Sequence, residues 1–218
     1  MNYGIEFEFF VVKDGIGKIV PAFEATSNLD GNPITGELRT TVFDNILECV
    51  FDLKRRIYQE EQRLADKGYK MLVIPQIKVD NEFIIAVRKN AASYKEIRPL
   101  TEVSIYPNGK IGKILPRGVF KASLQVNLSY NKEFSYKVNE LGTLPSSFTT
   151  ATKYKEYSAL FNYITPIAKL DKAFAKDIKE AKRVPGVYCF KDGQKGTRIE
   201  YRSLPNNINL DLLISTLK

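Results

Sequence analysis

Between Tyr3 and Val12 the side chains alternate with a period of two. Ile5, Phe7 and Phe9 fall on one face, and Glu6 and Glu8 fall on the other. This is the pattern of a β-strand, and it commits the chain to a sheet with two unlike faces. Two glutamates two residues apart on a strand leave the same side of it, where they repel unless something positive sits between them. An isolated pair of this kind usually faces solvent. The alternative is that the pair holds a cation.

The rest of the chain reads as an α+β arrangement. Asp14-Gly15 marks a turn, and Lys18 to Phe23 reads as the returning hairpin strand. Ser27 to Pro33 is a loop by composition, and Ile34 to Thr40 is extended. Phe43, Ile46, Leu47, Val50, Leu53, Ile57 and Leu64 repeat at helical spacing, which predicts a helix from Val42 to Lys67 stopped by Gly68. Met71 to Pro75 reads as a short strand, while residues 76–98 fit no single pattern. Pro107-Asn108-Gly109 signals a hairpin within Glu102 to Leu115, and Val119 to Tyr130 reads as one long strand. That strand sets Leu124, Val126 and Leu128 on one face, and Gln125, Asn127 and Ser129 on the other. A loop with Gly142 and Pro145 leads to a helical region from Ala151 to Arg183, with a kink or break expected at Pro166. Val187 to Phe190 and Thr197 to Leu204 are strands around Asp192-Gly193, and Leu210 to Leu217 is a closing helix. Strands and helices interleave without regular alternation, which favours a mainly antiparallel sheet. With 218 residues and no visible linker, a single domain over 1–218 is expected.

Composition narrows the chemistry. Histidine is absent, so Ser-His-Asp triads, Cys-His dyads, HExxH zinc sites and imidazole acid–base catalysis are excluded. Catalysis must rest on carboxylates, Arg, Lys, Tyr or an oxygen-held metal. Cys49 and Cys189 are too few for a disulfide framework; they fall in an amphipathic helix and an apolar strand, where they read as structural. No apolar run approaches the ~18 residues of a membrane span. Acidic Glu6 stands where a signal peptide would be basic or apolar, so a cytoplasmic protein with no membrane partner is expected. The formal charge is +8, but Lys and Arg are mixed with Glu and Asp along the chain. Nucleic acid is therefore not the favoured partner. Tyr154, Tyr157 and Tyr163 lie at helical spacing beside Leu160 and Ile164, a core pattern before a base-stacking one.

Two further segments repeat the acid-on-strand pattern. Glu37-Leu38-Arg39 and Glu200-Tyr201-Arg202 each set an acid and an arginine on one strand face. Such a pair is either a surface ion pair worth under ~1 kcal/mol or a metal ligand beside a phosphate-binding fork. Carboxylate oxygens on rigid strands suit Mg²⁺ or Mn²⁺, and carboxylate-held Mg²⁺ with arginines is a common way to grip ATP phosphates. Neither a P-loop nor a Gly-x-Gly-x-x-Gly motif is present.

The ordered set resembles the glutamine synthetase and glutamate–cysteine ligase superfamily, and within it the phage-associated carboxylate–amine ligases (amidoligases). Gly4-Ile5-Glu6-Phe7-Glu8-Phe9-Phe10 resembles that family's first strand, whose two acids face different metals. Asp30-Gly31-Asn32-Pro33-Ile34-Thr35-Gly36-Glu37-Leu38-Arg39 is similar to its second block, which supplies another metal-binding glutamate; Glu24 and Asp30 are candidates for an acid partnering Glu37. Thr197-Arg198-Ile199-Glu200-Tyr201-Arg202-Ser203-Leu204-Pro205 resembles the closing block, where the glutamate binds metal and the arginine binds phosphate. On the strand between them the family carries His-x-His or His-x-Asn; this chain has Gln125 and Asn127.

The resemblance implies a curved antiparallel sheet with an acidic concave face, backed by helices. It implies ATP and Mg²⁺ (or Mn²⁺) as cofactors, and small-molecule or peptide carboxylate and amine substrates in the cytoplasm, that of the host for a phage-encoded chain; homo-oligomerisation is left open. Glu6, Glu8, Glu37, Gln125 and Glu200 would bind metal. Gln125, Asn127, Ser129 and Arg202 would hold the nucleotide, and Arg202 and Arg39 would act on the transferred group. Gln125 can offer Mg²⁺ a carbonyl oxygen in place of imidazole, but the exchange also fits a degenerate member that binds without catalysis.

Overall fold

A computed structural model describes residues 1–29, 33–91, 103–104, 117–129, 158–193 and 196–218, with side chains not described at 91, 103–104, 158–164 and 189–198. It is an α+β structure built on antiparallel sheet. The central strand is β1 (Asn2–Lys13), longer by a residue at each end than its alternation predicts. Its first half lies between β8 (Leu124–Ser129) and β3 (Gly36–Arg39), and its end lies between β2 (Lys18–Val20) and β4 (Tyr69–Leu72). Beyond β8 follow β10 (Gly196–Tyr201), β9 (Val187–Gly193) and β6 (Val103–Ser104). A separate two-stranded sheet pairs β5 (Gln76–Lys78) with β7 (Val119–Lys121).

Alternation carries the core. Ile5, Phe7 and Phe9 of β1, Leu38 of β3, Leu124, Val126 and Leu128 of β8, and Ile199 and Tyr201 of β10 form one buried apolar layer. Against it pack α1 (Ile46–Ala65), α3 (Ser158–Ala173), α4 (Ala175–Glu180) and α5 (Leu210–Leu217), through Cys49, Val50, Leu53, Leu170, Ile178, Leu213 and Leu217. The remaining helix, α2 (Asn81–Ala91), occupies part of the stretch whose pattern was unresolved. Phe9 pairs with Gly36, and any Cβ at Gly36 would sit 2.2 Å from the Phe9 ring, so this glycine sets how β3 lies against β1. No described helix is long and apolar enough to cross a membrane.

Several boundaries differ from expectation, each for an identifiable reason. The β2 strand stops at Val20, because Pro21 offers no N–H to a ladder and Ala22–Glu24 curls into a 3₁₀ turn. The α1 helix begins at Ile46 and not at Val42: Phe43 bridges to Tyr3, and the Asn45 side chain caps the helix by accepting from Leu47 N at 2.9 Å. Gly68 ends the helical segment as expected, at φ +76°. The single strand expected over Val119 to Tyr130 is two strands: Ala122 N turns aside to Pro75 O at 3.1 Å, sending β7 to β5 and β8 to β1. Pro166 lies inside α3 without ending it; the break falls at Phe174, whose buried ring anchors the restart of the helix. The Pro107-Asn108-Gly109 turn, the loop with Gly142 and Pro145, Tyr154 and Tyr157 lie outside the described residues.

Candidate functional site

The face of the sheet opposite the core is polar, and register shows how it is assembled. Glu6 pairs with Arg39 on one side and Gln125 on the other, and Glu8 pairs with Glu37. Glu200 pairs with Asn127. Because side chains alternate, Glu6, Glu8, Glu37, Arg39, Gln125, Asn127 and Glu200 leave one face of four contiguous strands in the order β3, β1, β8, β10. Arg202, two residues beyond Glu200, rejoins them by its contacts. Ser129 shares the face at the far end of β8, opposite Asn2. Glu24 is exposed on the 3₁₀ turn, and Asp30 lies outside the described residues. The acid placed opposite Glu37 is Glu8.

These groups are buried. Glu6, Glu8, Glu37, Gln125 and Asn127 are all under a tenth exposed, and Glu200 is fully enclosed. Buried charge demands partners, and the face supplies them. Glu8 Oε2 accepts from Ser123 N and Ser123 Oγ, both at 2.7 Å, and its Oε1 accepts from Gln125 Nε2 at 2.9 Å. Arg39 Nε donates to Glu37, and Arg202 Nη1 donates to Glu200. Asn127 Nδ2 makes a long contact of 3.4 Å with Glu6 Oε1, while the buried Asn127 Oδ1 has no hydrogen-bond partner. Gln125 Oε1 accepts from Arg202 Nη1 at 3.0 Å, so this oxygen is turned toward a guanidinium.

No family model, curated protein or solved structure matches the chain.

Three contributors were not among the candidates read from the sequence. Ser123 extends the period-two face of Gln125, Asn127 and Ser129 by one position, so the pattern could have found it. Asn206 has no such cue: after the chain turns back along β8, its Nδ2 donates to Glu8 O at 3.0 Å. Arg183 donates to Arg202 O at 3.2 Å and to Ala122 O at 2.7 Å, tying the end of β10 to the point where β7 and β8 part.

The arrangement is suited to anionic ligands carried with a hard cation. Its donors are carboxylate and amide oxygens, and Asn127 Oδ1 is a buried acceptor awaiting a donor or an ion. Adjacent strands lie ~4.8 Å apart, so β3 and β10 are separated by about 14 Å and the carboxylates cannot all serve one ion. In agreement, no group of three or more acids or cysteines among the described residues is gathered as a metal site. The acids divide into Glu8 with Glu37 toward β3, and Glu6 with Glu200 flanking Asn127 toward β10. Elsewhere, Cys49 is buried in α1, and its thiol is pushed up to about 11 by burial, so it is inert as a nucleophile.

Proposed function

We propose that this chain is an ATP- and Mg²⁺-dependent carboxylate–amine ligase, and that its sheet is the curved, glutamine-synthetase-like sheet with the polar face concave. The observation that supports this most is the pairing of Glu8 with Glu37. Two buried carboxylates directly opposite one another oppose folding, and a fold keeps such a pair where a ligand uses it.

The oxygen donors fit Mg²⁺, with Glu6, Glu200 and Asn127 Oδ1 as one holding set and Glu8 with Glu37 as another. Bound there, Mg²⁺ would draw charge from the phosphate oxygens. Arg202 and Arg39 neutralise the phosphoryl group in transfer. In the first step a substrate carboxylate oxygen bonds to the γ-phosphorus of ATP as the bond to ADP breaks, giving an acyl phosphate. In the second a carboxylate takes a proton from the substrate ammonium, the freed amine nitrogen bonds to the acyl carbon, and inorganic phosphate leaves with the bonding pair and the second proton that the nitrogen loses.

A second reading, a binding protein without catalysis, draws on the donors already facing Glu8, Glu37 and Glu200 within the sheet. Calorimetry with ATP, in the presence and absence of Mg²⁺, followed by assay of ADP release with mixed carboxylates and amines, separates the two. Mg²⁺-dependent binding with ADP release that needs both substrates supports the ligase. Binding without turnover supports the second reading, and absence of Mg²⁺-dependent ATP binding rejects the ligase.

A further inference from the structure

Gln125 is the residue at which polarity across the face reverses. Its Nε2 donates to Glu8 Oε1 at 2.9 Å and to Ser123 Oγ at 3.1 Å, while its Oε1 accepts from Arg202 Nη1 at 3.0 Å. The amide can sit only this way round. Flipped, its NH₂ would meet a guanidinium that has no acceptor, and its oxygen would meet a carboxylate that has no donor. One side chain, 2% exposed, thus joins an acid on β1 to an arginine just past β10. Arg202 Nη1 has two hydrogens, and Gln125 and Glu200 each accept from it. That corner of the guanidinium is therefore anchored at two points, which fixes the plane of the fork.

We propose that Gln125 is a positioning residue for Arg202 and not a metal ligand. Oε1 already accepts from the Arg202 guanidinium, and a divalent ion on the same oxygen would set two cations against one another, which like-charge repulsion opposes. An amide has no ionisable proton, so it presents acceptor to Arg202 and donor to Glu8 at every pH, as an imidazole that titrates near neutrality cannot. The part of this proposal that concerns nucleotide rests on the ligase reading; the part that concerns Arg202 does not.

Two measurements test it, one free of any ligand. In arginine-labelled protein, NMR reads the rotation rate about the Arg202 Nε–Cζ bond. Gln125→Met, which keeps the length but neither hydrogen bond, should speed that rotation severalfold. Gln125→Glu, which keeps an acceptor for Arg202, should leave it near the parent rate. Unchanged rotation in Gln125→Met overturns the proposal, and so does equally fast rotation in both variants. The second measurement is calorimetry of MgATP in a double-mutant cycle with Arg202→Met. Gln125→Met should weaken binding about tenfold in the parent and under about twofold in the Arg202→Met background, because residues acting through one another are not additive. A loss that persists in that background and is recovered by raising Mg²⁺ makes Gln125 a ligand and overturns the proposal. A parent that binds no MgATP rejects the ligase reading, while the NMR measurement still decides the role of Gln125.

Discussion

Ile5, Phe7 and Phe9 on β1 enter an apolar layer closed by α1, α3 and α5, while Glu6 and Glu8 on the same strand face Gln125, Ser123 and Asn127. Both sets are buried, yet they are buried for opposite reasons. The apolar side gains free energy from every side chain removed from water. The polar side buries four carboxylates that each need a specific partner, beside a partly buried Arg202 and an exposed Arg39, and Glu8 and Glu37 stand directly opposite one another. One face therefore stabilises the fold, and the other is a constellation that the fold carries.

The difference can be broken by mutation. Phe9→Ala removes a fully buried ring and the cover over Gly36, so it should destabilise by about 3–5 kcal/mol in urea unfolding. A loss near 1 kcal/mol would mean that the apolar face is less consolidated than its burial implies. Arg202→Lys keeps the charge but loses the planar fork, so on the proposed ligase reading turnover should fall about 100-fold while the unfolding midpoint barely moves. Equal damage to stability and turnover would erase the distinction between the faces.

Asp52 on α1 is the counter-case, a charge on the helical side with a structural task. Its carboxylate accepts from Thr41 N at 3.0 Å and is held by Arg55 and Arg56. Burial alone would raise its pKa, but Arg56, Arg55 and the Thr41 N–H together hold it at about 2. A folded pKa below the ordinary carboxylate value near ~3.9 gives stability that is complete above that value and is lost as pH falls toward 2. Because both arginines are partly solvated, the contribution should be about 1–2 kcal/mol. Asp52→Asn should lose that amount at pH 7 and flatten the acid limb of a stability–pH curve. The smallest effect belongs to Glu37→Gln. Relieving the charge opposite Glu8 should leave thermal stability unchanged or raised by ~0.5 kcal/mol, while on the proposed ligase reading Mg²⁺-dependent ATP binding should weaken. A drop above 1 kcal/mol would show that Glu37 supports the fold.

Much of this division is legible in the chain itself, because alternation is local. The period of two in β1 and β8 separates the faces, and helical spacing finds α1 and α5. What escapes is long-range. Nothing near Ala122 announces that its N–H will turn to Pro75, so β7 and β8 read as one strand. Pro166 looks like a breaker, but the anchor that divides the helices is Phe174, whose burial depends on the assembled sheet. Glu24 is nearer to Glu37 in sequence than Glu8 is, yet the acid that strand pairing sets opposite Glu37 is Glu8. The direction of the Gln125 amide depends on Glu8 and Arg202, residues distant in the chain, and no pattern at position 125 encodes it.

The central place of β1 has a kinetic consequence. Its first half pairs with β8, which in turn pairs with β10, and Asn206 closes on Glu8 across 198 residues. Pairings this distant raise contact order, and loop closure precedes the contacts that reward it. β2, β3, β4 and α1 close on β1 from nearby sequence, but its pairing with β8 waits for chain as distant as Gln125 is from Glu8, 117 residues away. Folding should therefore be slow relative to a helical chain of equal length, and the polar face should be among the last regions to gain protection from hydrogen exchange.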